Sequence, residues 1–254
     1  MKRHLVFLYG VVSYFIFFGV FCYLPGFLGN FLVPKSIDSA ASVPFAEALL
    51  INSGLLALFA VQHSVMARKG FKQMITKLIP NAAERSTYVL FSSIAVILLY
   101  WLWQPMGVTI WNVQDPVFAV VLNGLMLFGG LMVLVTTFLI NHFDLFGLRQ
   151  VWFYWRKQEY KPLGFVTPGP YKLVRHPLYL GWLIMFWSTP VMTIAHLVFA
   201  IATTSYILVA IILEEKDLLK EHGKKYENYR KSVPMLFPVG KKTKTTSPAF
   251  GEVE

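Results

Sequence analysis

The chain has 254 residues, of which 56% are hydrophobic and only 14% charged, with a mean hydropathy of +0.56. That much apolar surface excludes an ordinary soluble domain and places the chain among integral membrane proteins. One cysteine, Cys22, excludes a disulfide framework and a cysteine-built zinc or iron–sulfur site.

Crossing a bilayer as a helix takes about 20 apolar residues, and four runs meet that length in chain order: Leu5 to Leu24, Ala46 to Met66, Ser86 to Trp103 and Val117 to Ile140. The first follows Lys2 and Arg3 as a signal peptide would, but it is span-length and lacks a small-residue cleavage site before Pro25, so it reads as a retained helix. A fifth stretch, Leu178 to Leu213, is too long for one span. Pro190 lacks an amide hydrogen and clashes with the preceding turn, so a break near Thr189–Pro190 divides it into a short helix and a full-length one. The expected fold class is therefore all-α integral membrane, with five to six transmembrane helices and a C-terminal helical hairpin whose first arm crosses only in part. The expected divisions are a four-helix membrane region (1–140), a loop plus hairpin (141–238) and a disordered tail (239–254).

Basic residues cluster before the first run, after the second (Arg68, Lys69, Lys72, Lys77, Arg85), after the fourth (Arg149, Arg156, Lys157, Lys161, Lys172, Arg175) and in the tail. The intervening loops, Pro25 to Phe45 and Pro105 to Pro116, carry Lys35 as their one basic residue. The positive-inside rule then puts both termini in the cytoplasm. The net charge of +10 is accounted for by this topology and by contact with anionic membrane lipid. It calls for no nucleic-acid partner. Trp101, Trp103 and Trp111 read as anchors at the outer interface.

This topology gathers the ionisable residues at one membrane boundary. His63 lies near the end of the second helix, Asn141, His142 and Asp144 leave the fourth, Arg175 and His176 enter the fifth, and Glu214 and Glu215 end the sixth. Polar groups delivered to one boundary by distant segments point to a site. Each also has a structural reading. Arg175-His176-Pro177 fits a helix N-terminus with proline at its first position. The helix carrying Glu214 and Glu215 runs on toward Gly223, which leaves part of the acidic pair solvated. His63 and His142 suit hydrogen-bonded packing equally well, Asp144 suits the cap of a short helix, and Gly169-Pro170 suits a turn. No cluster with metal-ligand spacing stands out.

The run Thr167-Pro168-Gly169-Pro170-Tyr171-Lys172-Leu173-Val174-Arg175-His176-Pro177-Leu178-Tyr179-Leu180-Gly181, followed by Glu214-Glu215 and then Tyr226-Glu227-Asn228-Tyr229-Arg230, resembles the isoprenylcysteine carboxyl methyltransferases and phospholipid methyltransferases. The N-terminal half is similar to the NnrU-like branch of that group and, within it, to the bacterial methanethiol S-methyltransferases. The similarity is carried by Val33 to Asp38, Gln62-His63-Ser64-Val65-Met66-Ala67-Arg68, Glu84 to Tyr88 and Leu139 to Gln150. The resemblance extends to about Pro238.

It implies S-adenosylmethionine bound between the hairpin and its flank, with Arg175, His176, Tyr179, Gly181, Glu214 and Glu215 as binding residues and Gly169 and Tyr171 shaping the entrance. It implies in-line methyl transfer to a small thiol, methanethiol, giving dimethyl sulfide. The thiol must ionise to react well. His142 or His63 is the candidate proton acceptor, with Asp144 orienting the imidazole or Arg68 stabilising the anion; a cationic donor alone also lowers the thiol pKa, so a dedicated base is not obligatory. Phe138, Phe143, Trp182, Phe186 and Trp187 are candidate walls of an apolar acceptor pocket. Two other readings stay open: a haem protein with His63 and His176 as axial ligands, and a methyltransferase of another thiol or a lipid. A transporter fits less well, because the chain has no inverted repeat and its ionisable groups avoid the midplane. Oligomeric state is not set by the sequence.

Overall fold

The computed structural model describes residues 1–40 and 42–239; the expected tail, from 240 on, lies outside them. Five helices are long and apolar enough to cross a membrane: α1 (Lys2–Gly29), α2 (Phe45–Ala67), α4 (Glu84–Leu102), α5 (Pro116–Ile140) and α9 (Ile194–His222). The others are α3 (Lys69–Ile75), α6 (His142–Leu145), α7 (Leu148–Arg156), α8 (Pro177–Trp187) and α10 (Lys224–Ser232). At 1.5 Å per residue, α8 reaches about 16 Å, half the hydrocarbon thickness. The short first arm of the hairpin is thus present as expected.

Each boundary has a local cause. α1 continues through Pro25 to Gly29 instead of stopping at Leu24, because a proline in the last turns forfeits few ladder bonds; the helix closes at Asn30 in the left-handed conformation, φ 60°, with its N–H on the Gly26 carbonyl. α5 starts on Asp115, whose carboxylate accepts the N–H groups of Val117 and Phe118 at 2.8 and 3.1 Å, with Pro116 at the first position. It ends at Asn141, whose side chain accepts the Asp144 N–H and so caps α6. The capping role considered for Asp144 therefore belongs to Asn141. α9 starts on Thr193, which caps His196 N–H at 3.1 Å, and runs to Gly223, φ 52°.

One element escapes the all-α expectation. Thr109–Asn112 (β1) and Val191–Thr193 (β2) pair as an antiparallel ribbon, joining the α4–α5 connection to the α8–α9 turn at the end of the bundle opposite α8's N-terminus. Nearby, Trp101 is 69% exposed and Trp111 37%, but Trp103 is fully buried. Its indole N–H donates to the Ile37 carbonyl at 3.2 Å and its ring meets Phe27 and Phe199 edge-on. Trp103 is a core residue, correcting its assignment as an interfacial anchor.

The contact that fixes the hairpin is α8 on α5, made through glycine. A Cβ on Gly181 would lie 2.9 Å from the Gly129 carbonyl oxygen and 3.0 Å from the Val133 nitrogen, and a Cβ on Gly129 would lie 2.6 Å from both the Gly181 oxygen and the Met185 nitrogen. The two backbones touch, as small residues permit between helices in lipid. Gly129→Val should therefore lower the stability of the detergent-purified protein by about 1–3 kcal/mol. Gly124→Ala on the same helix, where an added methyl meets nothing within 4 Å, should leave the melting temperature unchanged or slightly raised.

Candidate functional site

At the N-terminus of α8 the chain is held by main-chain bonds from the segment after α10. Arg175 N–H donates to the Pro234 carbonyl at 2.8 Å and His176 N–H to that of Met235 at 3.1 Å. The Arg175 side chain completes the join. Its Nε donates to Glu215 Oε1 at 2.7 Å and its Nη1 to the carbonyls of Arg230 and Val233. His176 Nε2 lies 3.1 Å from the same Glu215 oxygen. Arg175, Glu215 and His176 are nearly closed off from solvent, with side chains 11%, 12% and 5% exposed, so the charge pair is short, desolvated and satisfied on both sides.

Glu214 is different. Its side chain is 45% exposed, accepts the Tyr179 hydroxyl at 2.9 Å and lies 3.9 Å from His176 Nδ1. It therefore has carboxylate lone pairs free for a ligand. Tyr171, beside it, has its phenol held well above the ordinary range by burial and by the Glu214 charge. The Tyr171 carbonyl accepts the Tyr229 hydroxyl at 2.6 Å. Tyr226 is buried, its hydroxyl has no hydrogen-bond partner among the described residues although Glu215 lies beside it, and burial pushes its pKa up to about 12.

Gly169 has φ +46° in the 3-10 turn Gly169–Lys172, with the Leu139 side chain 3.6 Å from where its Cβ would be. Glycine is favoured there by backbone conformation. Thus Arg175, His176, Tyr179, Glu214 and Glu215 form one hydrogen-bonded group, with Tyr171 beside it and Gly169 opening its flank. Gly181, assigned with them, faces α5, where its lack of a side chain serves helix contact.

The two candidate bases lie apart. His63 Nε2 is 2.6 Å from the Tyr88 hydroxyl and its Nδ1 3.0 Å from Ser92 Oγ. Phe59 stacks on its ring and Tyr206, held by Ser64 at 3.2 Å, approaches edge-on. His142 is 2% exposed. Its Nε2 is 2.8 Å from the Tyr14 hydroxyl, its Nδ1 2.8 Å from Thr137 Oγ1, and Phe138 lies parallel at 4.1 Å.

Asp144 does not orient either imidazole. Its carboxylate is taken by Arg149 and the Tyr160 hydroxyl, both at 2.9 Å. Arg68, considered for stabilising the acceptor anion, pairs with Asp217 across an exposed 3.6 Å. Of the aromatic wall candidates, Trp182 stacks on Phe186, Trp187 donates to Thr204 and Phe138 covers His142. Tyr88, Ser92 and Tyr206 were not singled out from the sequence as partners of His63. A periodic signal was present, since all three are polar residues on apolar helices, but helix pairing was needed to join them.

Breaking the closed pair should cost far more than touching its open neighbour. Arg175→Ala strands Glu215 and should destabilise the protein by about 3–5 kcal/mol, with Arg175→Lys recovering little because its ammonium cannot serve the carboxylate and two carbonyls in the same fork. Burial holds the His142 pKa below its ordinary 6.5. Its neutral form is the folded one, so the stability it contributes is complete above pH 6.5 and declines as pH falls below it. His142→Ala should lower the melting temperature at pH 7.5 and flatten the decline on acidification, measured by thermal denaturation in detergent.

A family model described as phospholipid methyltransferase matches residues 118–225, which covers nearly all of α5 and the whole of α8 and α9. No solved structure matches the chain. A methanethiol S-methyltransferase of Crocosphaera subtropica is 58% identical over 96% of each chain. One from Mycobacterium tuberculosis is 50% identical over 94% of this chain and 98% of its own, and methanethiol S-methyltransferase 1 of Bradyrhizobium diazoefficiens is 48% identical over 93% and 83%. Full-length identity at this level, on a helical membrane fold with a polar group at the hairpin's base, establishes that the chain belongs to the methanethiol S-methyltransferase family of membrane methyltransferases.

Proposed function

We propose that this protein transfers a methyl group from S-adenosylmethionine to methanethiol, releasing dimethyl sulfide, at a site between the N-terminus of α8 and the C-terminal turns of α9. Its polar end and both termini face the cytoplasm, as the basic loops on that side favour, in the bacterial inner membrane. The observation that carries this reading is the contrast between the two adjacent carboxylates. Glu215 is consumed by Arg175 and His176, whereas Glu214 stands half-exposed on Tyr179.

The residues fit the donor. Its ammonium, sulfonium and ribose hydroxyls require an anionic acceptor and hydrogen-bonding groups in a partly dry setting, and here stand the open Glu214 carboxylate, the Tyr179 phenol and the orphaned Tyr226 hydroxyl. Glu214 and Tyr179 would hold it, with Tyr171 and Gly169 at the entrance and Arg175, His176 and Glu215 keeping the two helix ends in register. When bound, the donor supplies an electrophilic methyl on a cationic sulfur. The chain's own contribution is to align the acceptor sulfur with that methyl and to exclude water. Methanethiol is small and apolar and enters through the bilayer without recognition groups.

The haem alternative is disfavoured by His63, both of whose ring nitrogens are engaged by Tyr88 and Ser92. A phospholipid amine acceptor, in line with the description of the matching family model, is the reading to weigh against methanethiol.

Purified protein given S-adenosylmethionine and methanethiol should release dimethyl sulfide into the headspace; methylation of phosphatidylethanolamine in its place would overturn the acceptor. Glu214→Gln should keep the fold, because no closed ion pair is broken, and raise the donor KM about tenfold to a hundredfold through loss of a charge-assisted contact. An unchanged KM in that variant would remove Glu214 from the donor site.

A further inference from the structure

Methyl transfer to a thiol leaves one task unassigned, the removal of the S–H proton. We propose that Tyr88 and His63 form a proton relay for the acceptor, and that the acceptor sulfur therefore sits among α2, α4 and α9, beside Tyr88. This inference rests on the thiol methyltransferase reading and adds to it the place and the means of ionisation.

The hydrogen bonds supply the partners of the relay. Ser92 Oγ receives the Gln62 amide at 3.4 Å as well as His63 Nδ1 at 3.0 Å, while His63 Nε2 faces a phenol at 2.6 Å. With Nδ1–H donating to Ser92 and Tyr88 O–H donating to Nε2, both ring nitrogens are engaged and Ser92 Oγ accepts twice; this tautomer, assigned from these partners, is the one the relay uses. The phenol oxygen keeps a lone pair free for an incoming S–H. Polar side chains within apolar spans are expensive and are usually functional or mutually paired. Here α2, α4 and α9 supply Gln62, His63, Ser64, Tyr88, Ser92 and Tyr206, and the Gln62 side-chain oxygen is buried with no hydrogen-bond partner among the described residues. The group also adjoins the donor site. The phenols of Tyr88 and Tyr206 lie within electrostatic reach of Tyr179, the residue that donates to Glu214. His142 has a similar pair of partners but is sealed beneath Phe138, and no hydrogen bond or ring contact links it to Glu214, which suits a packing role.

In the relay the S–H proton moves to the Tyr88 oxygen as the phenolic proton moves to His63 Nε2. The electron pair of the S–H bond stays on sulfur, tyrosine ends neutral, and the imidazole becomes an imidazolium whose Nδ1–H remains on Ser92. The sulfur pair then bonds the methyl carbon as that carbon's bond to the donor sulfur breaks, its electrons remaining on the donor sulfur. The imidazolium afterwards loses its proton to water.

The test separates proton removal from packing by varying the acidity of the thiol. An alkanethiol such as methanethiol is almost wholly protonated at neutral pH, whereas trifluoroethanethiol, a bulkier thiol, is far more ionised; each variant is compared with wild type on the same thiol, so that the difference in size cancels. With wild-type protein turning over both, Tyr88→Phe and His63→Asn should slow methanethiol methylation about 10²-fold or more and trifluoroethanethiol methylation several-fold at most. Thermal stabilisation by S-adenosylhomocysteine should be unchanged. Equal losses on the two thiols with that stabilisation retained, or no loss on either, would overturn the relay. If His63→Asn fails to fold, Tyr88→Phe, which removes one oxygen atom, carries the same test. Absence of turnover of any thiol by the wild-type protein would strike at the acceptor reading itself, a separate result.

Discussion

The ion pair between Arg175 and Glu215 is the constraint on which the site depends. Two charges taken out of water at the base of a helical hairpin are costly unless both are fully engaged. Here Glu215 receives Arg175 and His176, and Arg175 also serves the carbonyls of Arg230 and Val233. The pair thus ties the start of α8, a late turn of α9 and the segment beyond α10 into one unit. Its consequence is asymmetry between neighbouring residues: with Glu215 saturated, Glu214 on the adjoining position of α9 is left to face outward on Tyr179. A rigid, closed pair beside an open carboxylate provides a positioned anion without a mobile partner that a ligand would have to displace.

The glycine contact between α8 and α5 works with this pair from the other side. An 11-residue helix cannot cross the bilayer alone. α8 is held because its backbone meets that of α5 at Gly129 and Gly181, and because the β1–β2 ribbon catches the chain beyond its far end. The spans away from the polar group are apolar, so the fold concentrates its ionisable chemistry at the end where α8 begins and leaves the remaining helix surface to lipid.

Much of this was legible from the sequence, for physical reasons that differ from part to part. Span length is a one-dimensional property, so α2, α4 and α5 stand close to where hydropathy put them, and Pro190 marked the division of the hairpin because a missing amide hydrogen acts locally. Arg175, His176, Glu214 and Glu215 could be named together because the alternation of spans brings them to one end, and Tyr179 joined them through the family resemblance. Partner choice was not legible. Asp144 was free, on sequence grounds, to orient His142, and only the turn after α7 shows it committed to Arg149 and Tyr160. Trp103 looks like Trp101 in sequence, yet two residues along a helix is a turn of about 200°, and that rotation carries one indole into the core and leaves the other at the surface. Gly181 sat within a binding motif and serves helix packing. The pairing of His63 with Tyr88 depends on which faces of α2 and α4 meet, which no single-helix periodicity encodes.

A structure of the protein with S-adenosylhomocysteine bound tests the donor site most directly. An apolar groove of about 580 Å³ lined by Phe7, Tyr14, Phe143 and Trp152 offers the ligand a competing place to lie. Density for the ligand is expected against Glu214 and Tyr179, between the ends of α8 and α9, with the Arg175–Glu215 pair intact. Density in the groove between α1 and α7, with Glu214 untouched, would contradict that placement.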